Sequence, residues 1–324
     1  MAPILDVRDL CVHIPTPAGI VKAVNGVSFA VNPGEIVGLV GESGSGKSMT
    51  ALALMRLQPG TARVSGQITF DGQDLLGMPA NAMAKLRGSA ISMIFQDPLS
   101  YLNPVMRVGV QIAEAIQIHQ PTSSHDARER TLELLQRVGI PSPPRVFDAY
   151  PHELSGGMRQ RALIAMAIIV RPKLLIADEP TTALDVTIQA QIMVLLTNLC
   201  RDLGAGLILI THDLGLIAEY CSRAYVMYAG RIMEGATVDQ LFYEPRHPYS
   251  RALLKSILSI DRKTDTFETI EGSVPQLLDV PPGCLFRPRC MHAVARCGTE
   301  VPPTRRIQDD HEAACWLHDA ETVG

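Results

Sequence analysis

The sequence predicts an α/β fold: a mostly parallel sheet with helices packed on it, an inserted helical stretch, and a small Cys-rich C-terminal module. Three observations lead there. Short apolar runs alternate with stretches of helical periodicity. Those runs vanish between Asp97 and about Pro151. Four of the seven cysteines crowd between Cys284 and Cys315. The composition, 47% apolar and 19% charged, suits a compact globule and excludes a disordered chain. A net charge of −4 gives no global attraction to nucleic acid.

Taken in order, Ile36–Val40, Ile91–Phe95, Leu174–Ala177 and Leu207–Ile210 are runs of Ile, Leu and Val too short for helices, and read as strands. Ala127 to Val138 has helical periodicity, so residues 97–160 read as an inserted helical subdomain. Ala224–Tyr228, Gly230 and Arg231–Glu234 form a closing hairpin. Arg246-His247-Pro248-Tyr249 opens a helix running to about Leu258, followed by a polar linker, Asp261–Thr269, and the tail. A domain boundary falls near residue 250, separating 1–250 from 251–324. The longest apolar run, Ala162–Val170, is nine residues, about half of the ~20 a spanning helix needs. Asp6 and Arg8 stand where a signal peptide would be apolar. The expectation is a cytoplasmic chain that reaches a membrane only through partners.

Gly41-Glu42-Ser43-Gly44-Ser45-Gly46-Lys47-Ser48 fits G-x-x-x-x-G-K-[ST], between the strand Ile36–Val40 and the helical stretch beginning at Met49. Its glycines free backbone N–H groups to point inward, and the helix N-terminus adds positive potential, so phosphates are held with few side chains. Lys47 is expected on the β/γ-phosphates and Ser48 on Mg²⁺. Asp178 and Glu179 end an apolar strand; Asp178 suits the Mg²⁺ shell and Glu179 suits polarising the attacking water. Gln96 and His212 also terminate strands, and ligands bind at the carboxyl ends of strands in open α/β sheets. His212 is the candidate stabiliser of γ-phosphate charge.

Leu154-Ser155-Gly156-Gly157-Met158-Arg159-Gln160-Arg161 resembles the LSGGQ signature of ABC (ATP-binding cassette) ATPases, with Met158 in the glutamine position. Ser155 is a plausible N-cap before a helix, which makes this a second anion site. The resemblance covers essentially the whole chain. It implies a P-loop NTPase (RecA-like) core, with Gln96 as the Q-loop and Mg²⁺ ligand. It also implies Ala183-Leu184-Asp185 as the D-loop and His212 as the switch histidine. The signature residues Ser155, Gly156, Gly157 and Met158 would close on ATP held by a second cassette's P-loop. The family stacks adenine on an aromatic residue after the first strand; here that neighbourhood reads Val12-His13-Ile14-Pro15, with Ile14 in the aromatic slot and His13 as substitute.

Within the family, the stretches 95–104, 177–192 and 244–254 are similar to dipeptide/oligopeptide importer ATPases, and to their D-type subunits. That implies ATP hydrolysis driving peptide import, with residues 97–104 docking the permease. The implied partners are two permease subunits, an extracytoplasmic binding protein, and a second ATPase, related in a heterodimer or identical in a homodimer. The implied place is the cytoplasmic face of the inner membrane. Other cargo (nickel chelates, haem, small solutes) uses the same mechanism, while a soluble ABC ATPase on nucleic acid or ribosomes would need a long coiled coil or tandem cassette.

Cys11, Cys200 and Cys221 sit beside apolar residues and read as buried structural thiols. Cys284, Cys290, Cys297 and Cys315 read as metal or cluster ligands before disulfides in a reducing compartment. Their gaps are wider than the paired cysteines of structural zinc sites. The importer ATPases share this spacing, which implies a [4Fe–4S] module, with zinc, and reduced thiols or disulfides, as alternatives.

Overall fold

The computed structural model describes residues 2–97, 101–182, 184–261, 270–275, 277–278 and 280–319. In chain order the strands are β1 (Leu5–Thr16), β2 (Gly19–Val31), β3 (Ile36–Val40), β4 (Arg63–Phe70), β5 (Gln73–Asp74), β6 (Ile91–Ile94), β7 (Leu174–Asp178), β8 (Gly206–Thr211), β9 (Arg223–Tyr228), β10 (Arg231–Thr237), β11 (Arg305–Gln308) and β12 (His311–Ala313). The helices are α1 (Lys47–Leu54), α2 (Ala80–Leu86), α3 (Val108–His119), α4 (Ser124–Arg137), α5 (Pro143–Asp148), α6 (Gly156–Ile168), α7 (Val186–Leu203), α8 (Leu214–Tyr220), α9 (Val238–Tyr243) and α10 (Pro248–Asp261). The chain divides into two compact units. One comprises Met1–Ile4, Val31–Ile36 and Gly77–Leu209; the other comprises Leu5–Ala30, Val37–Leu76 and Ile210–Gly324.

In the first unit β6 and β7 pair in parallel, Ile91 opposite Leu174 through Ile94 opposite Ala177, with β8 beside β7. All four β6 residues and all five of β7 are buried. Strands covered on both faces read as continuous apolar runs, which is why the sequence shows them plainly. Helices α3, α4 and α5 fill the stretch where no strand is expected. Gly109 lets α3 lie on Phe147; a Cβ there would come within 2.6 Å of the Phe147 Cα. Arg128 covers the other side, its guanidinium 4.2 Å from the Phe147 ring centre.

In the second unit β2, β1, β4 and β5 form a four-stranded sheet in that order, with β1 antiparallel to β4. A second row runs β3, β9, β10, β12, β11; β3 and β9 are parallel and the other pairs antiparallel. The sheets are therefore mixed, which corrects the expectation of a mostly parallel arrangement. β1 alternates buried and exposed positions, with a bulge between Arg8 and Cys11. Residues 12–15 lie inside β1 and not after the first strand, so the expected adenine neighbourhood, Ile14 and His13 included, is strand interior. Cys200 is buried, whereas Cys11 and Cys221 are half-buried. Burial pushes the thiols of Cys200 and Cys221 up to about 12, so both stay protonated and unreactive. The helix expected from residue 246 starts at Pro248, suited to a first helical turn because proline lacks the N–H that would be unpaired there. Beyond Asp261, the expected polar linker lies outside the described residues. Among the described residues, no helix is long and apolar enough to cross a membrane.

Candidate functional site

The phosphate-loop sequence leaves β3 at Val40 and enters α1 at Lys47. Two glycines are dictated by close approach. A Cβ on Gly41 would run into the Met227 carbonyl and lie 3.0 Å from Ser45 Oγ. Gly46 caps α1 with φ +103, and a Cβ there would meet the Ala23 carbonyl oxygen at 2.5 Å. The loop curls around its lysine: Lys47 Nζ donates to the Gly41 oxygen at 2.7 Å, the Glu42 oxygen at 3.0 Å and Ser45 Oγ at 3.3 Å. Lys47 and Ser45 are buried, while Ser43, Gly44 and Ser48 are exposed and Met49 is half-buried. Glu42 is held from outside the loop. Arg289 donates to its carboxylate through Nη1 at 2.7 Å and Nη2 at 3.0 Å, and the Glu42 N–H donates to Tyr249 Oη at 3.1 Å.

The carboxylates belong to the first unit. Asp178 is buried at the end of β7. Glu179 follows in the left-handed region, φ +45, a strained backbone that non-glycine residues adopt where the surroundings enforce it. Its Oε2 accepts from Gln96 Nε2 at 3.0 Å and from Thr182 Oγ1 at 2.9 Å. The parallel pairing of β6 with β7 delivers both residues to one end of that strand pair. His212, after β8, is exposed, and Asp213 beside it caps α8 by accepting the Gly215 N–H at 2.8 Å.

Ser155 caps α6 as its sequence position suggests, its Oγ accepting the Met158 N–H at 3.4 Å. Gly156 and Gly157 face the next segment: Cβ atoms on them would lie 3.6 Å from Leu184 Cδ2 and 3.1 Å from Ile188 Cγ2. Asp185 caps α7 by accepting the Ile188 N–H at 2.9 Å. Gly156 and Gly157 thus pack against Leu184 and Ile188, beside the expected D-loop; Ala183, and Pro98 to Ser100 of the expected docking stretch, lie outside the described residues. Around that stretch, Phe95 and Tyr101 stack at 3.9 Å, and Tyr101 and Val105 are 46% and 78% exposed.

Cys284, Cys290, Cys297 and Cys315 all line one cavity, together with His247 and Trp316. The Cys284 N–H donates to the Cys297 carbonyl at 2.8 Å. Burial pushes the Cys284 and Cys290 thiols up, and that of Cys315 up to about 11. His247 Nδ1 accepts the Tyr249 N–H at 3.0 Å, which leaves the ring proton on Nε2. That Nε2 is buried without a hydrogen-bond partner among the described residues. No group of three or more His, Cys, Asp or Glu among the described residues could hold a metal ion.

The ABC transporter family profile matches residues 24–182, and that of the oligopeptide/dipeptide transporter C-terminal region matches residues 233–297. The oligopeptide transport ATP-binding protein OppD of Haemophilus influenzae is 48% identical over 317 residues, covering 98% of each chain. This chain belongs to the ABC transporter ATPases of the oligopeptide/dipeptide class. OppD of Escherichia coli is 49% identical to this ABC ATPase, over 97% of this chain and 93% of that one. Among solved structures, the dimeric cassette MJ0796 bound to ADP and Pi superposes with a TM-score of 0.65 at 25% identity, over 72% of this chain and 98% of that one. The cassette cbiO1 of Clostridium perfringens gives 0.64 at 29% identity, over 75% and 92%.

Arg289, Tyr249 and Thr182 escaped the sequence reading. Tyr249 and Arg289 lie 207 and 247 residues from Glu42, and no local pattern ties such distant positions together.

Proposed function

We propose that this chain is the ATP-hydrolysing subunit that powers import of di- and oligopeptides through a membrane ABC transporter. The observation that carries the reading is its near full-length likeness, at 48% and 49% identity, to oligopeptide transport ATP-binding proteins. Residues 1–250 act as the nucleotide-binding domain and residues 251–324 as the class-specific extension. The chain works at the cytoplasmic face of the inner membrane, docked on two permease subunits and paired with a second ATPase, while an extracytoplasmic binding protein delivers cargo. The stacked Phe95–Tyr101 pair and exposed Val105 supply the apolar surface a permease helix would cover.

The roles follow from the chemistry of each group. Backbone N–H groups of the Gly41–Ser48 loop, other than that of Glu42, which Tyr249 holds, bind phosphate oxygens, with Met49 continuing the contact, and Lys47 exchanges its loop carbonyls for the β/γ-phosphates. Ser48 in one unit, and Gln96 and Asp178 in the other, each carry a hard oxygen donor of the kind Mg²⁺ takes. Mg²⁺ would neutralise charge on the phosphates. Glu179 takes a proton from the attacking water, whose oxygen bonds to the γ-phosphorus as ADP leaves. Gln96 and Thr182 aim that carboxylate. His212 stabilises the charge developing on the γ-phosphate. Ser155, Gly156, Gly157 and Met158 contact ATP held by the partner cassette, and Asp185 fixes the adjoining loop.

The four cysteines that line one cavity are the candidate ligands of a [4Fe–4S] cluster. That reading rests on the tail spacing they share with importer ATPases, and not on their arrangement in this structure, where no group among the described residues is set to hold a metal ion. Iron and acid-labile sulfide in the anaerobically purified chain, lost in C290S, test this assignment; zinc in their place would reverse it. The functional test is uptake of labelled di- and oligopeptides into vesicles carrying the complete transporter. The expected result is ATP-dependent uptake that competing peptides suppress and that nickel chelates and haem leave unchanged. Transport of those solutes and not of peptides would reassign the cargo.

A further inference from the structure

We propose that Arg289 and Tyr249 are positioning residues of the nucleotide loop, which makes the C-terminal segment a working part of ATP binding. The proposal rests on reading Gly41–Ser48 as that loop. Glu42, its second residue, places a carboxylate in a structure whose task is to collect the negative charge of phosphates, and like charges at such range repel. Arg289 neutralises it through two parallel bonds, with its own side chain only 4% exposed and that of Glu42 26% exposed. The rest of the guanidinium is also committed: Nε donates to the Glu271 carbonyl at 2.9 Å, Nη2 to the Ile270 carbonyl at 3.1 Å, and Nη1 to Tyr228 Oη at 3.3 Å. Every nitrogen of the fork has an acceptor, so Arg289 is fixed before nucleotide arrives.

Tyr249 holds the main chain of the same residue. It is fully buried, packed against Tyr228 with ring centres 4.7 Å apart and against Phe286 at 5.3 Å, and its Oη accepts the Glu42 N–H. Side chain and peptide of Glu42 are thus gripped separately, and the peptide that follows Gly41 cannot rotate without breaking one grip. Arg289 ends the turn Arg287–Arg289, whose first residue donates its N–H to the Cys284 carbonyl at 3.0 Å and accepts the Cys290 N–H at 3.2 Å. The position of Arg289, and through it the shape of the loop, therefore depends on the turn between two cavity-lining cysteines.

The test is equilibrium binding of a fluorescent trinitrophenyl-ATP to the purified full chain, with Trp316 fluorescence unfolding run on every variant. R289M is expected to weaken binding by on the order of tenfold, or about 1.4 kcal/mol, with R289K restoring part of it. In an E42Q background the same R289M change is expected to cost under about threefold, because the charge it answers is gone. Y249F is expected to weaken binding by a few-fold. A purely structural Arg289 would lower the unfolding midpoint, leave the affinity of the folded fraction intact, and gain nothing from E42Q. A folded R289M that binds like the wild type, or that loses as much affinity in the E42Q background, overturns the proposal. If R289M does not fold, the R289K loss and its relief by E42Q decide the matter. K47A separates the two levels: if the wild type binds no better than K47A, the nucleotide-loop reading itself has failed.

Discussion

Glu234 offers the sharpest stability prediction in the chain. It sits on β10 with a fully buried side chain and accepts the Arg246 N–H at 2.7 Å, the His247 N–H at 2.8 Å and His311 Nε2 at 2.7 Å. It thereby ties β10 to the chain entering α10 and to β12. Burial pushes its carboxyl up, but the hydrogen bonds from His311 and the Arg246 and His247 amides outweigh burial and hold it below its ordinary 4.5. Glu234→Ala strands three donors in a dry environment. Each unmet donor costs about 1–3 kcal/mol, and breaking a buried charged partnership typically costs about 3–5 kcal/mol in all. A loss of about 4 kcal/mol is the expectation. Urea unfolding followed at Trp316, the only tryptophan, reads it directly, since that ring is 4% exposed beneath Arg296, whose guanidinium stands 3.7 Å from the ring centre. Because the folded carboxyl is depressed, its stabilisation is complete above about pH 4.5 and fades as the pH falls below that value. The wild-type advantage over E234A should therefore shrink on acidification through that window. A shift under about 1 kcal/mol at pH 7, or a difference that does not change with acid, would refute the reasoning.

Two further outcomes follow from the site geometry. Gly41→Ala drives a methyl into the Met227 carbonyl, so ATP binding should be lost and the unfolding midpoint lowered; calorimetric titration with ATP checks it. Ser155→Ala removes the cap of α6, which should cost about 1 kcal/mol in unfolding free energy. Its ATP turnover should fall further than that loss explains if the same hydroxyl meets a partner's nucleotide. Turnover that falls only in proportion to the folded fraction would confine Ser155 to capping.

The legible parts of the molecule were those with one local cause. β3 is Ile36–Val40 as its apolar run indicates, because both faces are covered and Gly41 ends it. Ser155 caps α6 because a serine before two glycines and a helical stretch has one good use for its oxygen. β1, β2 and β4 were not legible: they are half-exposed strands, and their polar outward positions dilute the signal. Gln96 and Glu179 could be singled out separately from the ends of their strands, but their hydrogen bond depends on the β6–β7 register. The grip of Arg289 and Tyr249 on Glu42 is a tertiary fact with no local periodicity behind it. The cysteines that their spacing marked as metal ligands do line one cavity, but no group among the described residues is set to hold a metal ion, and the lack of a partner for His247 Nε2 among the described residues depends on a tertiary hydrogen-bond inventory.

The measurement nearest the centre of this account is ATP binding and ATP turnover by Glu179→Gln in the full chain assembled with its transport partners. If Glu179 is the base held ready by Gln96 and Thr182, the variant binds ATP as the wild type does while turnover falls on the order of 10²–10⁴-fold. Hydrolysis at the wild-type rate by E179Q would contradict it.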